Sequence, residues 1–251
     1  MMTTTIYKQL QEAKAAQQKK FAVLIDPDKG KISHVDKIID LAQKATIDCF
    51  LIGGSLVVND ALDETISLLK SETDIPVVLF PGGSRQLSYK ADALLFLSLI
   101  SGRNADLLIG KHVETAPFLK ISPLEIISTG YMLIDGGVPT SVSYMSNTYP
   151  IPANKNDIAV CTAMAGEMLG LKLLYMDAGS GAVNPVSAEM IQAVSMATDI
   201  PLIIGGGINS PERAAKNVAA GADIIVVGNA IEKDPNLIIE ISEAIHTHQS
   251  S

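Results

Sequence analysis

Short apolar runs alternate with segments of helical period from one end of the chain to the other, and this alternation limits the fold more than any other feature. Eight runs stand out, at residues 21–25, 49–52, 76–80, 93–99, 125–134, 172–176, 201–204 and 223–227. Most are apolar at successive positions rather than at every second one, which is what strands covered on both faces require. Parallel strands need crossovers long enough to hold a helix, and the segments between the runs supply them. Eight such strands close into a barrel, so the expected fold class is α/β, a modified (β/α)8 TIM barrel. A chain of 251 residues has the length of one such barrel, and residues 1–251 read as a single domain. The start, MMTTTIYKQLQEAKAAQQKK, reads as a polar N-terminal helix before strand one and is expected to carry no export signal.

An internal offset supports closure. Thr73-Asp74-Ile75-Pro76 recurs 125 residues later as Thr198-Asp199-Ile200-Pro201, and the same offset relates Gly54-Ser55 to Gly179-Ser180 and Asn104-Ala105 to Asn229-Ala230. Matches in one register at or near strand ends suit a four-plus-four barrel better than an open sheet. One crossover breaks the pattern. Between the third and fourth runs lies PGGSRQLSYKAD, whose Pro81-Gly82-Gly83 start leaves too little chain for a helix of two or three turns. The helix between strands three and four is therefore expected to be missing or reduced. Ala93, Leu95 and Leu97 would then form an exposed apolar wall beside a gap in the outer ring of helices between those strands. The longest irregular stretch, residues 136–156, is expected to be a functional lid or a disordered segment.

Active sites of such barrels lie at the carboxyl ends of the strands. Strand seven runs into Gly205-Gly206-Gly207-Ile208-Asn209-Ser210 and strand eight into Gly228-Asn229-Ala230. Glycines let backbone N–H groups approach an anion, and a short helix after Gly228 would point its positive end at it, so a phosphate monoester is the expected ligand. Strand one ends in Asp26-Pro27-Asp28-Lys29. A carboxylate there can hold Mg²⁺ together with substrate phosphates, although Asp-Pro-Asp is also ordinary turn and capping chemistry. Ser55, after Gly53-Gly54, is either a second oxygen ligand or the cap of the next helix. Strand six ends in Tyr175-Met176-Asp177-Ala178-Gly179-Ser180-Gly181, an acid among small residues that permit close approach to a substrate.

Composition removes other functions. With 19 Lys+Arg against 27 Asp+Glu the charge is −8 and no basic cluster forms, so nucleic acid is not expected as a partner. The longest apolar stretch, residues 93–100, falls far short of the roughly 18 residues of a transmembrane segment. Cys49 and Cys161 lack CxxC spacing and read as buried free thiols of a cytoplasmic protein. Of the four histidines, His246 and His248 lie in the tail, which leaves His34 and His112 as ligand candidates; a histidine metal site is not expected. No lysine terminates a strand, so a Schiff-base aldolase would lack its nucleophile, and neither GxSxG nor GxxxxGK occurs.

Taken together, FAVLIDPDK, FLIGGS, LFPGGSRQLSYKADALLFLSLISGRNADLLIGKHVETAP, YMDAGSGA, IIGGGINSPERA and IVVGNAIE closely resemble the geranylgeranylglyceryl phosphate synthase family, over residues 21–232. The resemblance implies a cytoplasmic, Mg²⁺-dependent prenyltransferase joining sn-glycerol 1-phosphate to a long prenyl diphosphate, expected to be geranylgeranyl diphosphate. The products would be an ether lipid precursor and diphosphate. It implies Mg²⁺ on Asp26 and Ser55. It puts the glycerol phosphate on Tyr175, Met176, Asp177, Ala178, Gly179, Ser180 and Gly181, on Gly206 and Gly207, and on Gly228 and Asn229. Asp177 and Tyr175 are the expected catalytic residues, and a homo-oligomer is expected. Two departures stand out: many members have Glu where this chain has Asp177, and one branch has Lys where this chain has Leu24. Both suggest the family's second branch. By themselves the glycine motifs suit a thiamine phosphate synthase-like transferase, a phosphosugar isomerase or a non-catalytic phosphate-binding barrel equally well. A requirement for a long apolar substrate would separate these.

Overall fold

The computed structural model describes residues 5–28, 32–56 and 61–247, with the side chains of residues 32–34, His34 among them, outside that description. Lys29 and His248 also lie outside the described residues. Eight strands, β1 (Lys20–Ile25), β2 (Cys49–Ile52), β3 (Val77–Leu79), β4 (Ala93–Leu99), β5 (Glu125–Leu133), β6 (Leu173–Asp177), β7 (Leu202–Gly205) and β8 (Ile224–Val227), pair in parallel in chain order. β8 returns to β1 with Phe21 opposite Ile225, so the barrel is closed. The helices are α1 (Ile6–Ala15), α2 (Ile32–Ala42), α3 (Leu62–Glu72), α4 (Lys111–Lys120), α5 (Ser141–Ser146), α6 (Asn156–Met168), α7 (Ala188–Ala197), α8 (Pro211–Ala219), α9 (Asn229–Lys233) and α10 (Leu237–Thr247). A π-helical turn, Asp106–Gly110, leads into α4.

Alternation along the strands divides the buried residues into two cores. Leu51, Val78, Leu95, Ile127, Tyr175 and Val226 belong to a cluster inside the barrel. Ile52, Leu79, Leu94, Met176, Ile204 and Ile225 join Ile38, Leu69, Ile191 and Ile238 of the helices in a second cluster around it. Continuous apolar runs are the result, because both faces of each strand are covered.

The N-terminal end of the barrel is stoppered. Ile6, Tyr7 and Leu10 of α1 pack against the interior cluster. Both oxygens of Glu125, at the start of β5, accept from the first turn of α1, Ile6 N–H at 2.7 Å and Tyr7 N–H at 3.0 Å. Asp223 accepts from Lys14 Nζ at 2.9 Å, Lys19 Nζ at 3.3 Å and the Leu202 N–H at 3.0 Å. The Lys172 ammonium lies 5.2 Å from the centre of the Tyr7 ring, at the same end. Charge and polarity here serve closure and leave the opposite end for chemistry.

Residues 80–92, between β3 and β4, form a strap of turns and bends with no helix. β3 and β4 are nonetheless hydrogen-bonded neighbours, with Val78 opposite Ala93 and Leu79 opposite Leu94. The sheet is therefore continuous between the two strands, and the opening lies in the outer layer. The expected apolar wall is also on the other face: Ala93, Leu95 and Leu97 point into the barrel, and Leu94 and Phe96 face outward. A single position of parity separates the two readings. Residues 136–156 are ordered, with α5 begun by a reciprocal cap between Thr140 and Ser143 and a bridge between Ile134 and Ile151. Cys161 is exposed on α6 rather than buried, and Cys49 is partly exposed at the start of β2. No described helix is long and apolar enough to cross a membrane.

Replacing Glu125 by Ala leaves two first-turn donors of α1 without their acceptor, which should cost about 1 kcal/mol. Denaturant titration should show that loss, and hydrogen exchange should show α1 losing protection while strand-end chemistry is unchanged.

Candidate active site

A cleft of about 900 Å³ opens at the carboxyl ends of the strands. β6 supplies its floor. Tyr175 and Asp177 share the parity that points inward, and Asp177 occupies the last rung of the sheet opposite Gly205, one residue beyond where the apolar run ends. Tyr175 is 1% exposed; its ring stacks on Phe80 at 5.0 Å and meets Tyr131 edge-on at 5.5 Å. Asp177 is 8% exposed, and its two oxygens are separately held. The Tyr131 hydroxyl donates to Oδ2 at 2.6 Å and the Gly179 N–H donates to Oδ1 at 2.7 Å. Burial pushes the Asp177 carboxyl above its ordinary range, with these two hydrogen bonds pulling the other way. Burial and the neighbouring Asp177 charge push the Tyr131 phenol well up, so it stays a donor.

The loop after β7 crosses directly over this carboxylate. Gly206 has φ +80°, and a Cβ there would lie 2.5 Å from Asp177 Oδ1 and 2.7 Å from the Gly179 nitrogen. No other residue fits without moving the acid. Arg213 of α8 donates to the Gly207 carbonyl at 2.8 Å and fixes the same loop from behind. Across the mouth, Asn229 Nδ2 donates to Ser180 Oγ at 2.8 Å, which ties the loop after β8 to the loop after β6. Ser180, Gly206, Gly207, Gly228 and Asn229 thus line one end of the cleft together.

Asp26 and Ser55 line the cleft as well, at the ends of β1 and β2. The Asp28 N–H donates to Asp26 Oδ1 at 3.0 Å. Gly54 is packed so that a Cβ there would stand 3.3 Å from Asp26 Oδ2. Among the described residues no group of three His, Cys, Asp or Glu forms a metal cage. One carboxylate and a serine lining the same cleft suit a hard cation that takes its remaining ligands from water and substrate phosphates, as Mg²⁺ does.

Not every residue singled out by sequence reaches the cleft. Met176 is fully buried in the outer core, and Ala178 is 1% exposed with its N–H on the Gly205 carbonyl, so neither lines the cavity. Conversely, Tyr131, Phe80 and Gln86 line it and were not singled out. Tyr131 was legible in principle, since it stands at an inward position near the end of β5; nothing local marks Gln86. Val142 and Met145 of α5 also line the cleft. From there the cleft continues along the outer face of β4 past Leu94 and Phe96 to His112 and Leu119 of α4, with Leu87 of the strap on the other side.

The sequence profile of the PcrB family matches residues 14–245. The chain belongs to the PcrB family. A geranylgeranylglyceryl phosphate synthase from Chitinophaga pinensis is 57% identical to this PcrB-family chain over 248 residues, 98% of it and 97% of the relative. Another, from Spirosoma linguale, is 50% identical over 242 residues, 96% and 97% of the two chains. The crystal structure of (S)-3-O-geranylgeranylglyceryl phosphate synthase from Thermoplasma acidophilum, in complex with sn-glycerol-1-phosphate, superposes with a TM-score of 0.92 at 32% identity, covering 98% of this chain and 100% of that one.

The raised Asp177 carboxyl has a sign that can be checked. An acid whose folded value exceeds its unfolded one stabilises the fold below the unfolded value and loses that contribution as pH rises through the folded one. Asp177→Asn removes the ionisation and can still accept from Gly179 N–H while donating to the Tyr131 oxygen. Its stability relative to wild type should therefore improve from pH 3 to pH 7.5 in denaturant titrations, while activity is lost.

Proposed function

We propose that this PcrB-family protein is a prenyltransferase that joins sn-glycerol 1-phosphate to geranylgeranyl diphosphate, giving geranylgeranylglyceryl phosphate and diphosphate, and works in the cytoplasm as a homo-oligomer. The observation that carries the reading is one cleft with two unlike ends. A polar end of glycine backbone, Ser180 and Asn229 lies over a buried carboxylate, and an apolar groove leads away from it along β4. The names of the relatives support the same reading. A phosphosugar isomerase or a thiamine phosphate synthase-like enzyme would have no use for the groove.

In this reading the phosphate sits on the loops after β6, β7 and β8, where backbone N–H groups meet it. The glycerol C3 hydroxyl then lies toward Asp177. Its oxygen forms a bond to the first carbon of the prenyl chain as the bond from that carbon to the diphosphate oxygen breaks. The hydroxyl proton passes to Asp177, and the electron pair leaves with the diphosphate. Tyr131 and Gly179 hold the carboxylate in place for this transfer. Tyr175, wedged between Phe80 and Tyr131, keeps water out from beneath. Asp26 and Ser55 would hold Mg²⁺, which when bound neutralises charge on the leaving diphosphate. The tail follows the groove of Leu94 and Phe96 between strap and α4.

The test is incubation of the purified protein with radiolabelled sn-glycerol 1-phosphate, Mg²⁺ and a series of prenyl diphosphates. Each buried methylene contributes roughly 0.8 kcal/mol, so the specificity constant should climb from ten through fifteen to twenty carbons. A flat series, or a preference for ten carbons, would remove the groove from the account. Asp26→Asn should keep the fold, measured by circular dichroism, and lose most of the turnover; wild-type rates with unchanged Mg²⁺ dependence would show that Asp26 is not the ligand.

A further inference from the structure

The strap of residues 80–92 stands where a helix would otherwise pack, and it has two neighbours of different kinds. On one side it walls the apolar groove with Leu87. On the other it presses on the end of β2: the Phe80 N–H donates to Ile52 O at 2.8 Å, and a Cβ on Gly82 would overlap the Gly54 carbonyl. One side chain fastens the two together. Gln86 is 92% buried, and its amide is used from both ends. Oε1 accepts from the Gly82 N–H at 3.1 Å and the Gly54 N–H at 3.3 Å, and Nε2 donates to the Gly54 carbonyl at 2.8 Å. Gly54 is in turn the residue packed against Asp26 and followed by Ser55. No sequence motif or relative's name assigns Gln86 a part in this.

We propose that Gln86 is a positioning residue that carries occupancy of the tail groove to the Gly54–Ser55 corner, so that prenyl tail length is expressed in kcat as well as in KM. The inference rests on the prenyltransferase reading of the cleft. Binding energy from a remote part of a substrate raises the rate only when something rigid relays it to the reacting end. A strap without helical hydrogen bonds of its own transmits little by itself. Three hydrogen bonds from one buried amide make the strap and the β2 terminus a single body, so apolar contacts along Leu87 set the backbone beside Asp26. In this proposal Gln86 acts through Gly54 rather than through a contact of its own with either substrate.

Kinetics with ten- and twenty-carbon diphosphates test this, comparing wild type with Gln86→Met, which keeps length and volume but not the amide. Wild type should show a kcat several-fold higher with the longer tail and a lower KM. Gln86→Met should retain the KM difference, because the groove is intact, and show a lowered kcat equal for both tails. A binding readout without turnover accompanies it: in wild type, the twenty-carbon prenyl alcohol alone should slow amide hydrogen exchange at Gly54 and Gly82, and in Gln86→Met it should not. Should Gln86→Met fold poorly, Gln86→Glu serves instead. Protonated, it donates to the Gly54 carbonyl as glutamine does; ionised, it cannot, so the tail effect on kcat should be present in acid and disappear as pH rises. A variant that keeps the wild-type ratio of kcat values, or wild-type exchange, overturns the inference alone. A wild-type protein that transfers neither tail overturns the reading of the cleft and this inference with it.

Discussion

Closure of the eight-stranded barrel is the constraint on which the rest depends. Once β8 pairs with β1, every strand residue is committed to the interior or to the helical layer, and the commitment alternates without exception along each strand. Asp177 faces the cleft because Leu173 and Tyr175, four and two residues before it, fill the interior beneath it. Met176 faces the helices for the same reason. The seal at the other end, where Glu125 holds the start of α1 and Asp223 holds Lys14 and Lys19, makes the interior a floor rather than a channel.

The acid at the centre shows how such a floor shapes chemistry. A carboxylate placed this deep would ordinarily favour its neutral form, and the fold answers with one donor for each oxygen, Tyr131 from β5 and the Gly179 N–H from the following loop. Gly206 closes over it from β7. The carboxyl group therefore has a fixed direction and a raised proton affinity, both of which the proposed role as acceptor of the glycerol hydroxyl proton would use.

Much of this was legible from sequence, and the exceptions have physical causes. Apolar runs separated by helical segments identify a barrel, and glycines after the seventh and eighth runs mark the polar end of the cleft. Strand ends were less legible. The sixth apolar run stops at Met176, and backbone pairing carries the sheet one residue further, through Asp177 opposite Gly205. The outward face of β4 was misassigned because Ala93 to Leu99 is apolar on both faces, so hydrophobicity holds no parity signal there; only pairing with Val78 and Leu79 sets it. Tyr131 and Gln86 meet their partners at separations of 46 and 32 residues, and no local pattern announces contacts that closure alone creates. Residues 136–156 looked irregular because α5 is a single short helix held by its cap, too brief to leave a periodic trace.

The central claim is that one cleft brings a glycerol phosphate hydroxyl and the end of a long prenyl chain together over Asp177. Its most direct test is a crystal structure with sn-glycerol 1-phosphate and a non-hydrolysable twenty-carbon prenyl diphosphate analogue bound together. The phosphate should rest against Gly206, Gly207 and Asn229, the C3 hydroxyl should lie within hydrogen-bond distance of Asp177, and the tail should run past Leu94 and Phe96 between the strap and α4. A tail lodged elsewhere, or a glycerol hydroxyl turned away from Asp177, would contradict the account.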